Sequence, residues 1–174
     1  MFGSHLPASF YDPSNKACAR QRHEACDTAL QDLIDFMNNN DDKEDGGVKL
    51  DIYDATNSTR ERRQFILKRL SGIGTKKIFI ESVCTDATLL EENIHTVKVR
   101  TPDYKSMNSE DAFNDFNQRR ANYASVYESL QDDEGSYLQV FNSKKFVVHN
   151  MRGYLLLKVM HFVMNLHTLP RRFI

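Results

Sequence analysis

The sequence predicts an α/β protein whose sheet has parallel central strands. Three observations carry this. Strand-like and helix-like segments alternate along the chain, the order that lays helices over a parallel sheet. The segment Lys77–Val83 (Lys-Ile-Phe-Ile-Glu-Ser-Val) is more fully apolar than the other strand candidates, as buried parallel strands are. The 174 residues show no internal repeat and no domain-sized linker, so one domain is expected.

Taken in order, Lys16 to Met37 predicts a helix, with Cys26, Ala29, Leu30, Leu33 and Met37 on one face. The polar run Asn38 to Gly47 reads as a loop. Val48 to Asp54 is a short strand candidate in which Val48, Leu50 and Ile52 alternate. Ser58-x-x-Glu61 has the capping-box pattern and opens a helix that runs to Leu70 and stops in Ser71-Gly72-Ile73-Gly74. The strand Lys77–Val83 follows. A helix from Asp86 then sets Ala87, Leu90, Ile94 and Val97 on one side, and Pro102 breaks the chain. Ser109 to Glu128 predicts a long helix with Phe113, Phe116, Tyr123 and Tyr127 as core positions, and Gln131–Gly135 a loop. Tyr137–Phe141 and Phe146–His149 read as strands joined by the tight turn Asn142-Ser143-Lys144-Lys145. The last helix covers Gly153 to Leu166, and Pro170 ends it.

Composition narrows the function classes. The formal net charge is −1, which gives no global attraction to nucleic acid or an anionic membrane. Phosphate binding must then come from local placement of arginine and lysine. Arg60, Arg62, Arg63, Lys68 and Arg69 make one basic helix, but no nucleic-acid motif accompanies it, and no nucleic-acid partner is expected. The cysteines are three, an odd count, and form no C-x-x-C pair, which fits a reducing, cytoplasmic location. No H-x-x-x-H spacing points to zinc. The apolar stretch Tyr154–Leu169 is interrupted by Lys158, His161, Asn165 and His167, so no membrane span is expected. No signal peptide is recognisable. Residues 1–8, with Gly3-Ser4-His5, read as a tag or gene-model start.

Ligands of open α/β sheets bind beyond the carboxyl ends of strands. Asp54-Ala-Thr-Asn-Ser-Thr-Arg-Glu-Arg-Arg63 occupies one such end. An aspartate, hydroxyls and a helix start with several arginines suit a phosphate and metal site, because helix N–H groups and arginine forks match phosphate oxygens. A capped surface helix with a solvated basic face is the alternative. Cys84 ends the other strand, either as a small core residue or as a thiol activated by a neighbour. Lys98 either favours a helix C-terminus or faces a ligand. Arg119 and Tyr123 share a helix face. They either clamp a phosphate and a sugar hydroxyl or pack on one another.

The segment Asp54–Arg63 resembles the D-A-T-N-[ST]-T-R-E-R-R signature of the 6-phosphofructo-2-kinase/fructose-2,6-bisphosphatase family. The resemblance continues through Phe79–Cys84, Asn93–Lys98, Pro102-Asp-Tyr104, the step from Arg119 to Tyr123, and Met164–Arg171. Upstream it takes in Phe10–Asn15 and Arg22. It implies a P-loop-NTPase-like three-layer sandwich with a mostly parallel sheet. It also implies transfer of the γ-phosphoryl of ATP, with Mg2+, to the 2-hydroxyl of fructose 6-phosphate. Asp54 would be the catalytic carboxylate, orienting the hydroxyl or holding magnesium directly or through water. Cys84 matches the family's active-site cysteine. Arg22, Thr56, Arg62, Lys98, Arg119 and Tyr123 would bind the sugar phosphate, and Asn93, Ile94, His95, Thr96, Val97 and Lys98 would border ATP. Such a reaction depends on positioning and electrostatic stabilisation, which a ring of cations with one carboxylate supplies.

Three departures qualify the match. No G-x-x-x-x-G-K-[ST] occurs among these residues. No R-H-G follows Pro170. Asp51 falls where the family strand is apolar, at a cost of several kcal/mol if it points into a core unpaired. The sequence is therefore read as a partial kinase domain over residues 9–170, its first strand and P-loop missing, with residues 171–174 starting a linker to an absent phosphatase domain. A missing N-terminal segment or a second copy, as a homodimer, would fill the vacant strand position. The alternatives are a noncatalytic sugar-phosphate-binding pseudokinase and an interaction module.

Overall fold

The computed structural model describes residues 6–39, 49–94, 104 and 107–168. After a 3-10 turn at Ala8–Tyr11 come α1 (Lys16–Asn38), α2 (Arg60–Arg69), β1 (Phe79–Val83), α3 (Ala87–Asn93), α4 (Ser109–Ala124), β2 (Tyr137–Phe141), β3 (Lys145–His149) and α5 (Tyr154–Thr168). The chain forms two compact units, Met1–Thr75 with Glu110–Glu128, and Lys76–Ser109 with Ser129–Ile174.

In the first unit α1 starts where Asn15 accepts the Cys18 N–H with its side chain, at 3.1 Å. Cys26 and Leu30, one turn apart, pack against Ile66 and Leu70 of α2. Leu33, Ile34, Tyr53, Phe65 and Ile73 close over this cluster. Ala29, expected on the buried face, is exposed, because the stripe centres on Cys26, Leu30 and Ile34 and leaves position 29 at its margin. Arg69 of α2 reaches α1, with Nε 2.6 Å from Asp27 and a second bond to Gln31.

The strand expected at Val48–Asp54 does not form. Val48 lies outside the described residues, and residues 49–54 are extended but join no ladder. A strand is held by hydrogen bonds to a neighbour, not by alternation alone. Leu50 and Ile52 are exposed, and Tyr53 is the residue that packs inward. Asp51 is accordingly at the surface, so the burial cost foreseen for it does not arise. The loop expected at Asn38–Gly47 and the break at Pro102 also fall largely or wholly outside the described residues, as does Pro170.

The second unit holds a three-stranded sheet in the order β1-β2-β3. β1 and β2 are parallel, with Phe79 opposite Tyr137; β2 and β3 are antiparallel, with Tyr137 opposite His149. β2 is the central strand, buried from Tyr137 through Val140. β1, whose composition suggested cover on both faces, is an edge of this sheet and alternates between half-buried and exposed positions. Centrality follows from pairing on both sides, which composition does not record. Three residues join β2 to β3, and Asn142 and Ser143 take φ of 50° and 56°, the left-handed pair of a type I′ turn closed by Lys144 N donating to Phe141 O at 3.0 Å.

The same unit contains a polar layer. Glu81 of β1 accepts from Gln139 Nε2 at 2.6 Å, Ser129 Oγ at 3.2 Å and Leu130 N at 3.3 Å through one oxygen. The buried Tyr137 donates its phenol to Asp132 at 2.7 Å and stacks on His149. The Asp132 bond, then burial, pushes the Tyr137 phenol up from 10.0 to about 12. The unfolded chain therefore loses this proton first as pH rises, so the stabilisation is complete below pH 10 and lost as pH rises toward about 12. Tyr137→Phe is expected to flatten the fall in unfolding free energy between pH 10 and pH 12, read by urea titrations at stepped pH.

Candidate active site

Three of the expected sugar-phosphate residues meet around the Ala8–Tyr11 turn. Arg22, one turn before the buried Cys26 on α1, donates Nη1 to the Phe10 carbonyl and lies 5.8 Å from the Phe10 ring centre. Phe10 and Tyr11 stand edge to face. On the other side, the Arg119 guanidinium lies over the Tyr11 ring, with its carbon 3.8 Å from the centroid, and the Tyr123 ring is 5.8 Å from that of Tyr11. An arginine over an aromatic face keeps its charge while its plane is fixed. The turn is fastened to α4 at both ends of one residue. Ala8 N donates to Asp115 at 2.9 Å, and Asn122 Nδ2 donates to Ala8 O at 2.9 Å.

The Asp54–Arg63 segment follows the core residue Tyr53. Burial first, then a bond with Cys26, pushes the Tyr53 phenol above its ordinary range, while the nearby Arg62 charge pulls it down. Arg62 is half-buried, and its Nη1 is buried without a hydrogen-bond partner among the described residues. Asp54 and Thr56 are exposed. No described side chain pairs with Asp54.

The helix that follows corrects one expectation. Its cap is Thr59, not Ser58: Thr59 Oγ1 accepts the Arg62 N–H at 3.2 Å. At its N-terminus several backbone donors are already engaged by protein oxygens. Arg60 N donates to the Glu128 carboxylate at 2.6 Å, and Arg63 N to Thr59 O at 3.1 Å. The Glu128 carboxylate thus holds the place at the helix start that an anion would take. Ser58 instead offers its carbonyl to Glu128 N, at 2.8 Å.

Arg63 is not part of a solvated basic face either. It is 4% exposed and donates Nη1 to Asn57 O at 3.2 Å and Glu128 O at 2.8 Å. Helical spacing could have shown this, since Arg63 is three before Ile66 and seven before Leu70, on the apolar side of α2. A cleft of about 590 Å³ lies beside this joint, lined by Thr59, Arg60, Gln64 and Tyr127 among others, and it contains none of the expected site residues.

In the second unit Cys84 is half-buried just beyond β1, its Sγ 3.7 Å from Asp86 O. Asp86 caps α3 by accepting Leu89 N at 3.1 Å. Asn93 is exposed and Ile94 is buried. His95, Thr96, Val97 and Lys98 lie outside the described residues. Of the aromatic positions expected in the core from α4, Phe113, Phe116 and Tyr123 are half-buried, while Tyr127 lies beyond the helix and is 44% exposed.

Residues that could hold magnesium are few. No group of three or more His, Cys, Asp and Glu converges among the described residues. Mg2+ keeps several waters and completes its shell with substrate phosphates, so one or two carboxylates can suffice for it.

The first unit sets two arginines beside aromatic rings and the second carries a mixed three-stranded sheet flanked by helices in sequence, the elements of an α/β protein. A family model described as 6-phosphofructo-2-kinase matches residues 3–170. The chain belongs to that family. Relatives include the 6-phosphofructo-2-kinase/fructose-2,6-bisphosphatase of Caenorhabditis elegans, 39% identical over 94% of this chain and 36% of the relative. The protein of that name from Gallus gallus is 35% identical over 97% of this chain and 35% of its own length. 6-Phosphofructo-2-kinase 1 of Saccharomyces cerevisiae is 32% identical over 95% of this chain and 20% of its own. The chain thus spans about a third or less of the length of these relatives.

The burial of Arg63 yields a quantitative expectation. Arg63→Met leaves two carbonyls without their charged donor and should lower the unfolding free energy by about 3 kcal/mol. Lys68→Met, on the exposed side of the same helix, should change it by less than about 0.5 kcal/mol. Denaturant titration of both variants checks the contrast.

Proposed function

We propose that this chain contributes the sugar-phosphate side of a 6-phosphofructo-2-kinase, which transfers the γ-phosphoryl of ATP to the 2-hydroxyl of fructose 6-phosphate and yields fructose 2,6-bisphosphate. The observation that carries the reading is the placement of Arg22, Arg119 and Tyr123 around one aromatic turn. Two guanidinium groups on α1 and α4, held there by Phe10 and Tyr11, suit the doubly charged phosphate of a sugar. Tyr123 supplies a hydroxyl for the sugar. Arg62, with a buried and unpartnered Nη1, has donor capacity for a phosphate oxygen, and Thr56 an accessible hydroxyl. Lys98 would add charge on the nucleotide side, where Asn93 to Lys98 would border ATP.

Asp54 is the one carboxylate assigned to the reaction. It would orient the 2-hydroxyl and accept its proton, or hold magnesium through water. MgATP, when bound, supplies the phosphoryl group and neutralises charge on the transferring oxygens. Cys84 would border the reacting groups. The residues contain no G-x-x-x-x-G-K-[ST], so the nucleotide half of the proposal rests on family membership rather than on a phosphate loop in this chain. The odd number of cysteines and their lack of pairing suit a cytoplasmic protein, and no described helix is long and apolar enough to cross a membrane.

A thermal-shift titration tests this directly, with fructose 6-phosphate and MgATP added separately and together. Fructose 6-phosphate at a hundredfold excess over its dissociation constant should raise the melting temperature by on the order of 5–10 °C. Arg119→Ala should weaken the sugar phosphate by roughly 10- to 100-fold, the loss expected for a charged hydrogen bond. A shift with fructose 6-phosphate and none with MgATP would favour sugar-phosphate binding without turnover. A melt that neither ligand moves would overturn the reading.

A further inference from the structure

β1 ends at Val83, and the chain turns through Cys84, Thr85 and Asp86 before α3 begins at Ala87. A turn that short leaves backbone N–H groups with no ladder or helix partner, and each must be satisfied from elsewhere. One side chain does most of this. Asn142, the first residue of the β2–β3 turn, accepts Thr85 N at 2.7 Å and Asp86 N at 3.1 Å on a single Oδ1. Its Nδ2 donates to Thr85 Oγ1 at 3.0 Å, and its own backbone N donates to Val83 O at 2.8 Å. The φ of 50° that aims the side chain this way belongs to a region asparagine enters more readily than most residues.

We infer that Asn142 is the positioning residue of the Cys84–Asp86 turn, setting both the Cys84 thiol and the start of α3. The chain of contacts is continuous. Asn142 fixes the Asp86 N–H. Asp86 caps α3 through its carboxylate and presents its carbonyl to the Cys84 Sγ. Asn142 is a positioning residue rather than a catalytic one, because it reaches the site through the turn. Its bearing on the reaction rests on the reading that Cys84 and α3 border the transferring phosphoryl group. Local pattern does not mark this role, since Asn142 reads as an ordinary turn residue.

The test leaves substrate out, so its failure and the failure of the proposed function are separable. Cysteine alkylation by iodoacetamide, followed site by site by mass spectrometry, gives a rate at Cys84 with Cys18 and Cys26 as internal references. Asn142→Gly removes the acceptor while keeping the left-handed backbone accessible. It should raise the Cys84 rate roughly fivefold, the factor corresponding to one hydrogen bond of ordinary strength, and leave Cys18 unchanged. Asn142→Asp retains an acceptor for both N–H groups and should restore a rate within about twofold of the parent, given that exchange of one acceptor oxygen for another costs little of the bond. Equal rates in the parent and the glycine variant would overturn the inference, as would equal increases in the glycine and aspartate variants. So would a rise at all three cysteines together, which marks general loosening. A second readout needs no variant: the Thr85 and Asp86 amides of the parent chain should be protected from hydrogen exchange although they lie outside any helix or strand, and exchange at the unprotected rate would overturn the inference.

Discussion

A buried guanidinium holds the first unit together where its signature segment turns into a helix. Arg63 donates to two backbone carbonyls, those of Asn57 and Glu128. A charge taken out of water is tolerable only when hydrogen bonds replace its hydration, and these carbonyl dipoles supply part of that replacement. The consequence is geometric. The turn at Asn57, which has a positive φ, and the chain leaving α4 are tied to one side chain on α2. Arg62, its neighbour in sequence, is thereby rotated away from that joint, and its Nη1 is left without a partner. Adjacent arginines on a helix point in different directions, so the two need not share partners.

The same economy of polar groups recurs at other chain ends. Thr59, the Glu128 carboxylate and the Thr59 carbonyl take up N–H groups at the start of α2. Asn142 and Asp86 do so around the start of α3. Both are positions where a free helix N-terminus would attract an anion. In this chain protein oxygens already take up several of these donors. The aromatic turn at Phe10–Tyr11 sets a ring beside each of two arginines, Arg22 and Arg119.

Much of this was legible in the residues and some was not. The helices at Lys16–Asn38 and around Arg60–Arg69, and the hairpin strands, followed from spacing and turn residues, because periodicity and local hydrogen bonding act within a few positions. The short strand at Val48–Asp54 failed for the complementary reason: its alternation was real, but a strand needs a partner that local sequence does not name. The candidate residues Arg22, Arg119 and Tyr123 could be singled out by resemblance, whereas Phe10 and Tyr11, which bring them together, carried no signal beyond being aromatic. Thr59 displaced Ser58 as the cap because Glu128, far along the chain, engages both the Ser58 carbonyl and the Arg60 N–H.

The sequence by itself determined the family and the α/β class, because these are written in local pattern and in motif. Only the tertiary structure decided which arginine is buried, which strand is central and which side chain satisfies each orphan backbone group. Those outcomes depend on contacts between residues tens of positions apart, and burial or hydrogen bonding at such distances is fixed only when the chain folds.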